Sequence, residues 1–395
     1  MPAYLRVPGM RLNDRMNSLK ILHLYSNHKW TGPADHALNL VSWLKARPGI
    51  EAFFACGRRR GMPNHLLHKA GERNIACEDG MFLNKHLNWR VIPDVYALKK
   101  LVYQKGINLI HSHQDNDSLI AILAGFGDRL IRTCYTGEPF QMSYRQRFIF
   151  ARTAKIMTAS VAVKKALAEI YPDKTIEQID IPVDLERFNP TAKNRKLMTE
   201  FGLNDDDPVA GIAARVQKHK NFSLLLDALE LVIGQVPNFR FLIVGRGTHI
   251  DDLARRPAKA RGLARHVIFT GYRREDYPEV VNLMDFKVFL APGSDGSCRA
   301  VREALACGKP VIATRKGILP ELIRTGETGI LIDETPADLC KAMVRMCRDG
   351  AFLRKSSQAA RQYAANVLNP DRYVSSVLGC YDAAAAERRR TDILE

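Results

Sequence analysis

The fold of this 395-residue chain is most tightly restricted by short, mostly apolar runs that alternate with helically spaced stretches, in two successive rounds. Residues 19–25, 51–55, 108–111, 130–134 and 156–159 read as strands buried on both faces, where continuous apolar character is expected. Between them, residues 34–45 set Ala37, Leu38, Leu40, Val41 and Leu44 along one helical face. Residues 91–104, 117–124, 143–152 and 161–170 read as further helices. At 181–190 the segment Ile-Pro-Val-Asp-Leu-Glu-Arg-Phe-Asn-Pro breaks the rhythm, because proline lacks the amide that either element needs. The alternation then restarts, with strands at 209–213, 240–245, 267–271, 286–290 and 310–313 and helices at 221–235 and 249–262. Strands alternating with helices fold as parallel sheets covered on both faces. The expectation is an α/β protein of two Rossmann-like, doubly wound domains of about 200 residues each, facing across a cleft. Residues 1–18 read as an N-terminal extension, 19–190 as the first domain, 191–370 as the second, and 371–395 as a terminal helical segment.

The cysteines (Cys56, Cys77, Cys134, Cys298, Cys307, Cys340, Cys347 and Cys380) form no CxxC pair and no metal-ligand spacing. They read as reduced thiols without disulfides. The first residues lack an apolar signal core, and the longest apolar run, 118–127, is too short to span a bilayer. A cytoplasmic protein is expected. Charge is the outlier: 59 Lys+Arg against 42 Asp+Glu, a net +17. By count, the first 150 residues hold 21 of the cations and 11 of the acids. Clusters stand at Arg58-Arg59-Arg60, at Lys99-Lys100, and at Arg145, Arg147, Arg152 and Lys155 around Phe148, Ile149 and Phe150. Such a half suits nucleic acid, an anionic membrane face or an acidic acceptor. No helix-turn-helix, zinc-finger or RNA-binding signature is present, so nucleic acid is not expected. The mixed aromatic and basic stretch 145–165 leaves docking at the inner face of a membrane open, beside a plain solvated helix face.

Open parallel sheets bind ligands beyond the C-terminal ends of their strands, so chemistry is sought in those loops. After the first strand come residues 26–35, with a single glycine at Gly32. After the strand ending at Ile110 come His111-Ser112-His113-Gln114, where an imidazole could meet a sugar hydroxyl. His111 is in strand register and reads as buried; Asp115 and Asp117 nearby would be needed for any metal. Residues 214–221 hold Arg215 and Lys220 ahead of a helix, an arrangement able to clamp a diphosphate from two sides. Glycines flank a turn at Gly245-Arg246-Gly247, and Gly271-Tyr272-Arg273 follows the next strand. No GxGxxG follows either domain's first strand. The richest block is 295–310, with Asp295 ahead of a helix and Glu303 inside it. Amides at a helix start attract phosphate, and a carboxylate one or two turns on can accept hydrogen bonds from sugar hydroxyls.

That block resembles the acidic-x7-Glu signature of family 4 retaining glycosyltransferases, which belong to glycosyltransferase group 1 and have the GT-B architecture. The family's usual first acid is Glu followed by Gly-Phe-Gly; here Asp295 stands first and Ser297-Cys298-Arg299 replace the apolar and glycine positions. The connector 181–190 is similar to the family's link between domains. The resemblance runs from Leu19 to about Arg390 and is most specific between Arg215 and Glu321. It implies a metal-independent hexosyl- or glycosyltransferase with no cofactor, using a nucleoside diphosphate sugar of UDP or GDP type. The first domain would bind a cell-envelope glycan or glycolipid acceptor and the second the donor, with the last helix crossing back. Carried over by position, Arg215 and Lys220 hold the leaving diphosphate, Asp295 holds donor hydroxyls near the anomeric carbon, and His113 lies near the transferred sugar. Glu303 binds the ribose, the Arg299 and Ala300 amides hold the distal phosphate, and Gly271, Tyr272 and Arg273 hold the base. Gly245 shapes a turn, Gly32 closes over donor and acceptor, and Gly317, Pro320 and Glu321 form a lip. Three rival readings stand beside this one. They are a nucleotide-sugar epimerase of the same fold, a non-catalytic GT-B binding subunit, and an NAD-dependent oxidoreductase, which the missing GxGxxG disfavours.

Overall fold

The computed structural model describes residues 18–58, 63–135, 141–291 and 298–394. The first sheet comprises β1 (Leu19–Tyr25), β2 (Ile50–Cys56), β3 (Leu109–Ser112), β4 (Leu130–Cys134), β5 (Lys155–Thr158) and β6 (Ile176–Gln178). Its helices are α1 (Gly32–Lys45), α2 (His65–Gly71), α3 (Val91–Lys105), α4 (Asp115–Leu123), α5 (Tyr144–Ala151) and α6 (Val161–Ile170). All pairings are parallel, in the order β2-β1-β3-β4-β5-β6. The second unit opens with α7 (Arg195–Phe201) and continues β7 (Val209–Ala213), α8 (Phe222–Ile233), β8 (Arg240–Val244), α9 (Arg256–Ala260) and β9 (Val267–Gly271). It closes with α10 (Tyr277–Leu283), β10 (Phe286–Phe289), α11 (Arg299–Ala306), β11 (Val311–Thr314), α12 (Leu319–Leu322) and β12 (Gly329–Ile332). Its order, β12-β11-β10-β7-β8-β9, is again parallel and reverses direction between β10 and β7. Helices α13 (Pro336–Arg348), α14 (Gly350–Asn366) and α15 (Pro370–Leu394) follow.

Local chemistry sets the ends of these elements. Pro33 stands in the first turn of α1, where no amide partner is needed, and Gly106 ends α3 in the left-handed conformation. Strand periodicity then assigns neighbours to opposite faces. Ile21 packs with Leu40 and Leu44 of α1 and with Tyr373, Val377 and Tyr381 of α15, while Leu22 packs with Leu98 and Val102 of α3. The final helix thus lies on the first sheet although it follows the second. Between 249 and 262 a wider turn over Asp251–Arg255 precedes α9, because Pro257 has no amide to continue the bonding of a single helix. Among the described residues, no helix is long and apolar enough to cross a membrane.

Candidate functional site

The reversal points of both sheets, β1/β3 and β7/β10, open on one cleft of about 1090 Å³ lined by both domains. On the second-domain side the loops are held by close backbone approach. Gly245 has φ +144°, and a Cβ there would collide with the Ala214 carbonyl; one at Gly247 would collide with the Val216 carbonyl. The Ala214 and Val216 amides in turn donate to Val244 and Arg246 carbonyls at 3.1 Å. The two glycines therefore clamp the loop that presents Arg215 to the cleft. Lys220 lies a turn further on, its Nζ donating to the Ala291 carbonyl at 2.7 Å and lying over Phe289. Asp295 lies outside the described residues, just beyond Ala291.

Helix α11 is preceded at its N-cap by Cys298, which adopts a left-handed φ of +42° although it is not glycine. Arg299, Ala300, Arg302 and Glu303 line the cleft. Burial pushes the Glu303 carboxyl above the usual range, opposed by the Arg299 and Lys287 cations; Arg299 Nε lies 3.2 Å from Glu303 Oε1. Beneath it Lys287, wholly buried on β10, donates to Tyr277 Oη and to the Ala300 carbonyl, both at 2.9 Å. Burial pulls its ammonium down to about 8. Arg302, also buried, donates to the Ile181 carbonyl at 2.7 Å and so ties α11 to the connector. Tyr272 is exposed at the cleft with the Arg246 guanidinium 5.0 Å from its ring centroid. Arg273 lines the cleft too, but its guanidinium is engaged by Asp276 and Glu200. Gly271 ends β9 in the left-handed region at φ +73°.

On the first-domain side, Gly32 is the first residue of α1. Asp117 accepts from the amides of Ser26, His113 and Gln114 at 2.7–2.9 Å, joining the loops after β1 and β3. Burial raises its carboxyl to about 6. His113, expected beside the transferred sugar, is instead buried one layer behind the cleft, its ring bonded to His23 Nδ1 (3.2 Å) and Tyr135 Oη (3.0 Å). His23, His111 and His113 lie close enough to share one metal ion. Yet both ring nitrogens of His111 are engaged, by Tyr381 Oη at 2.6 Å and Thr133 Oγ1 at 2.7 Å. Burial lowers all three imidazoles far below their ordinary range, His23 to about 3. The cluster reads as a neutral, hydrogen-bonded support under the β1 and β3 loops. Asp115 is spent on Arg132 and Arg145. Glu321, expected in a lip over the donor, bonds instead to Ser160 Oγ and to the amides of Val161 and Ala162 at the start of α6, joining the two domains.

Sequence reasoning passed over Lys287, Arg302 and the charged wall formed by α2. The signal for Lys287 was a lone cation within the apolar run Phe-Lys-Val-Phe-Leu. Arg302 was visible only as a charge three residues from Arg299 and beside Glu303.

A two-sheet α/β molecule with facing reversal points is the GT-B class of fold, and solved structures agree. A glycosyltransferase from Rickettsia africae superposes with a TM-score of 0.78 at 16% identity, covering 93% of this chain and 99% of that one. Anabaena Alr3699/HepE in complex with UDP gives 0.77 at 18%, covering 92% and 100%. Residues 193–366, within this second unit, match the family model of glycosyl transferases group 1. Among curated relatives, the GDP-mannose-dependent alpha-(1-6)-phosphatidylinositol monomannoside mannosyltransferase of Mycolicibacterium smegmatis is 36% identical over 42% of this chain and 45% of its own length. The lipopolysaccharide core biosynthesis mannosyltransferase LpsB of Rhizobium meliloti is 31% identical over 43% of this chain and 51% of its own. The chain thus matches about half the length of these relatives.

Proposed function

We propose that the protein moves a glycosyl group from a nucleoside diphosphate sugar to a hydroxyl of a cell-envelope glycan or glycolipid, with retention at the anomeric carbon and without a metal. The observation that carries this reading is one cleft wall on which Arg215, the first turn of α11 and the buried Glu303 meet. Glu303 accepts from the ribose hydroxyls, the Arg299 and Ala300 amides face the distal phosphate, and the Arg246–Tyr272 pair offers a flat surface to the base. In the reaction the bond from the anomeric carbon to the diphosphate oxygen breaks and the acceptor oxygen bonds from the same face. The acceptor proton passes to the departing phosphate. Arg215 and Lys220 neutralise the charge that develops there, Asp295 holds donor hydroxyls, and His113 acts by positioning the loop after β3. The relatives' names favour GDP-mannose as the first donor to test, with UDP-sugars next.

Thermal-shift titration with UDP, GDP, ADP and NAD tests the reading. One nucleoside diphosphate raises Tm in the wild type, and Glu303→Ala loses this, weakening binding by about 30- to 150-fold, or 2–3 kcal/mol for hydrogen bonds to a charged group. A response to NAD alone overturns it in favour of an oxidoreductase. Production of a donor epimer without acceptor favours the epimerase, and nucleotide binding without turnover the binding subunit.

The reaction is further assigned to the cytoplasmic side of an anionic membrane on which the first domain docks. Among the described residues, ten of the twelve large exposed apolar ones belong to α3–α6 or to the turn entering α3, among them Trp89, Ile92, Tyr96, Tyr103 and Tyr144. Exposed Lys85, Lys99, Lys100 and Arg147 stand among them. The expected patch at 145–165 contributes less than its composition suggests, since Ile149, Phe150 and Lys155 are buried. Trp89→Ser with Tyr96→Ser should leave Tm unchanged and cut sedimentation with anionic vesicles about tenfold; unchanged sedimentation overturns the docking.

A further inference from the structure

The first-domain wall of the cleft carries a cationic surface that the donor, as read above, does not use. Helix α2 and the residues just after it turn His65, His68, Lys69, Glu72 and Arg73 toward the cleft at helical spacing, opposite Arg274 and Arg299 of the second domain. The carboxylates that face these cations from α1 and α2 are Asp35 and Glu72, and each is shared by cations from both domains. Asp35 lies 2.9 Å from Arg73 and 3.4 Å from Arg299. Glu72 lies 2.6 Å from Lys69, 3.1 Å from His68 and 2.6 Å from Arg274. The positive groups thus outnumber the acids available to them. Lys29 and His65 make no side-chain hydrogen bond or ion pair among the described residues. Beside these cations is the Trp30 ring, with the Arg73 guanidinium 5.2 Å and Lys69 Nζ 5.9 Å from its centroid.

We infer that this wall is an acceptor subsite for a phosphate ester: Lys29, His65 and Lys69 grip the phosphate, and the acceptor's sugar ring lies against Trp30. The inference rests on the glycosyl-transfer reading of the cleft and deepens it. A phosphate directs oxygens tetrahedrally, which suits separate point-charge donors on a loop and a helix; a carboxylate has only two oxygens in one plane. The donor diphosphate does not compete, because Arg215 and the start of α11 line the opposite wall. Asp35 and Glu72 hold Arg73, Arg274 and Arg299 in place across the cleft, so the subsite spans the two domains and is complete only when they face each other.

The experiment fills the donor side with the nucleoside diphosphate found by thermal shift. Glucose 6-phosphate, glucose and phosphatidylglycerol vesicles are then titrated against the wild type, Glu303→Ala and the double variant Lys29→Ala/Lys69→Ala. Glucose 6-phosphate is expected to bind the wild type at least tenfold more tightly than glucose, and the double variant to lose that margin while binding nucleotide as before. Glu303→Ala should lose the nucleotide and keep glucose 6-phosphate. Displacement of wild-type protein from vesicles by glucose 6-phosphate would assign the phosphate to a lipid headgroup; binding without displacement would assign it to a soluble acceptor. Equal affinity for glucose and its phosphate, or an unaffected double variant, overturns the inference. Phosphate binding in a protein that takes no nucleotide would keep the subsite and sink the glycosyl-transfer reading instead.

Discussion

On the second-domain wall of the cleft the charged groups Lys287, Arg302 and Glu303 are inside the protein, whereas on the first-domain wall Lys29, His65 and His68 stand in solvent. Ions taken out of water cost several kcal/mol each unless partners repay them, while surface pairs contribute about 0–1 kcal/mol. The second wall therefore gives up stability to fix one geometry before a ligand arrives. The first wall costs little and keeps its side chains adjustable. The comparisons divide the same way, since the family match covers residues 193–366 and lies wholly on the rigid side.

The largest effect should come from disturbing that rigid side at its backbone. Gly245→Ala meets both a left-handed φ and the Ala214 carbonyl, so a loss of about 3 kcal/mol in stability is expected, read as a fall in Tm together with loss of nucleotide binding. A variant as stable as the wild type would show that the Arg215 loop is not clamped there.

Lys287→Met sharpens the contrast through pH. With its ammonium pulled from 10.5 down to about 8, Lys287 costs the fold roughly 3 kcal/mol at pH 7. Its two hydrogen bonds offset about 1 kcal/mol each. Between pH 8 and 10.5 the unfolded chain holds more protons than the folded one, so wild-type stability rises with pH on this group's account. Lys287→Met should thus be more stable by about 1 kcal/mol at pH 7 and lose that advantage above pH 8, while binding nucleotide more weakly as α11 loses its support. Denaturant melts at pH 7 and 9 decide it, and a pH-independent difference would place the cost of Lys287 elsewhere.

The smallest change is expected on the adjustable side. Glu72→Gln breaks the contacts to Lys69, His68 and Arg274 yet should move stability by less than about 0.5 kcal/mol, because all are solvated. A larger fall in Tm would mean that this wall is as fixed as the other.

Much of the fold was legible because strands covered on both faces are largely apolar, and β1, β3, β4, β7, β8, β10 and β11 are largely apolar runs. The edge strands β6 (Ile-Glu-Gln) and β12 (Gly-Ile-Leu-Ile) escaped, since an edge is short and only partly covered. Of the site, Arg215, Gly245, Tyr272, Arg273, Arg299, Ala300 and Glu303 line the cleft, and Lys220 stands behind it on the Ala291 carbonyl. His113 and Glu321 stand elsewhere, because a histidine just past a buried strand and a glutamate before a short helix carry no mark of the direction they face. The α2 wall was illegible for a related reason: its residues read as an ordinary polar helix until α1, Arg274 and Arg299 come up against them.

The sequence alone determined the alternation of elements, the break at 181–190 and the loop and helix start where Arg215 and Arg299 stand, because periodicity, proline and helix starts act over a few neighbouring positions. Only the tertiary structure decided what is buried and what is shared. It placed α15 on the first sheet, stacked His23, His111 and His113 behind the cleft, set Lys287 beneath α11, and brought Asp35 and Glu72 within reach of cations from the other domain. Burial and ion pairing depend on groups up to hundreds of residues apart in the chain, and only folding brings them together.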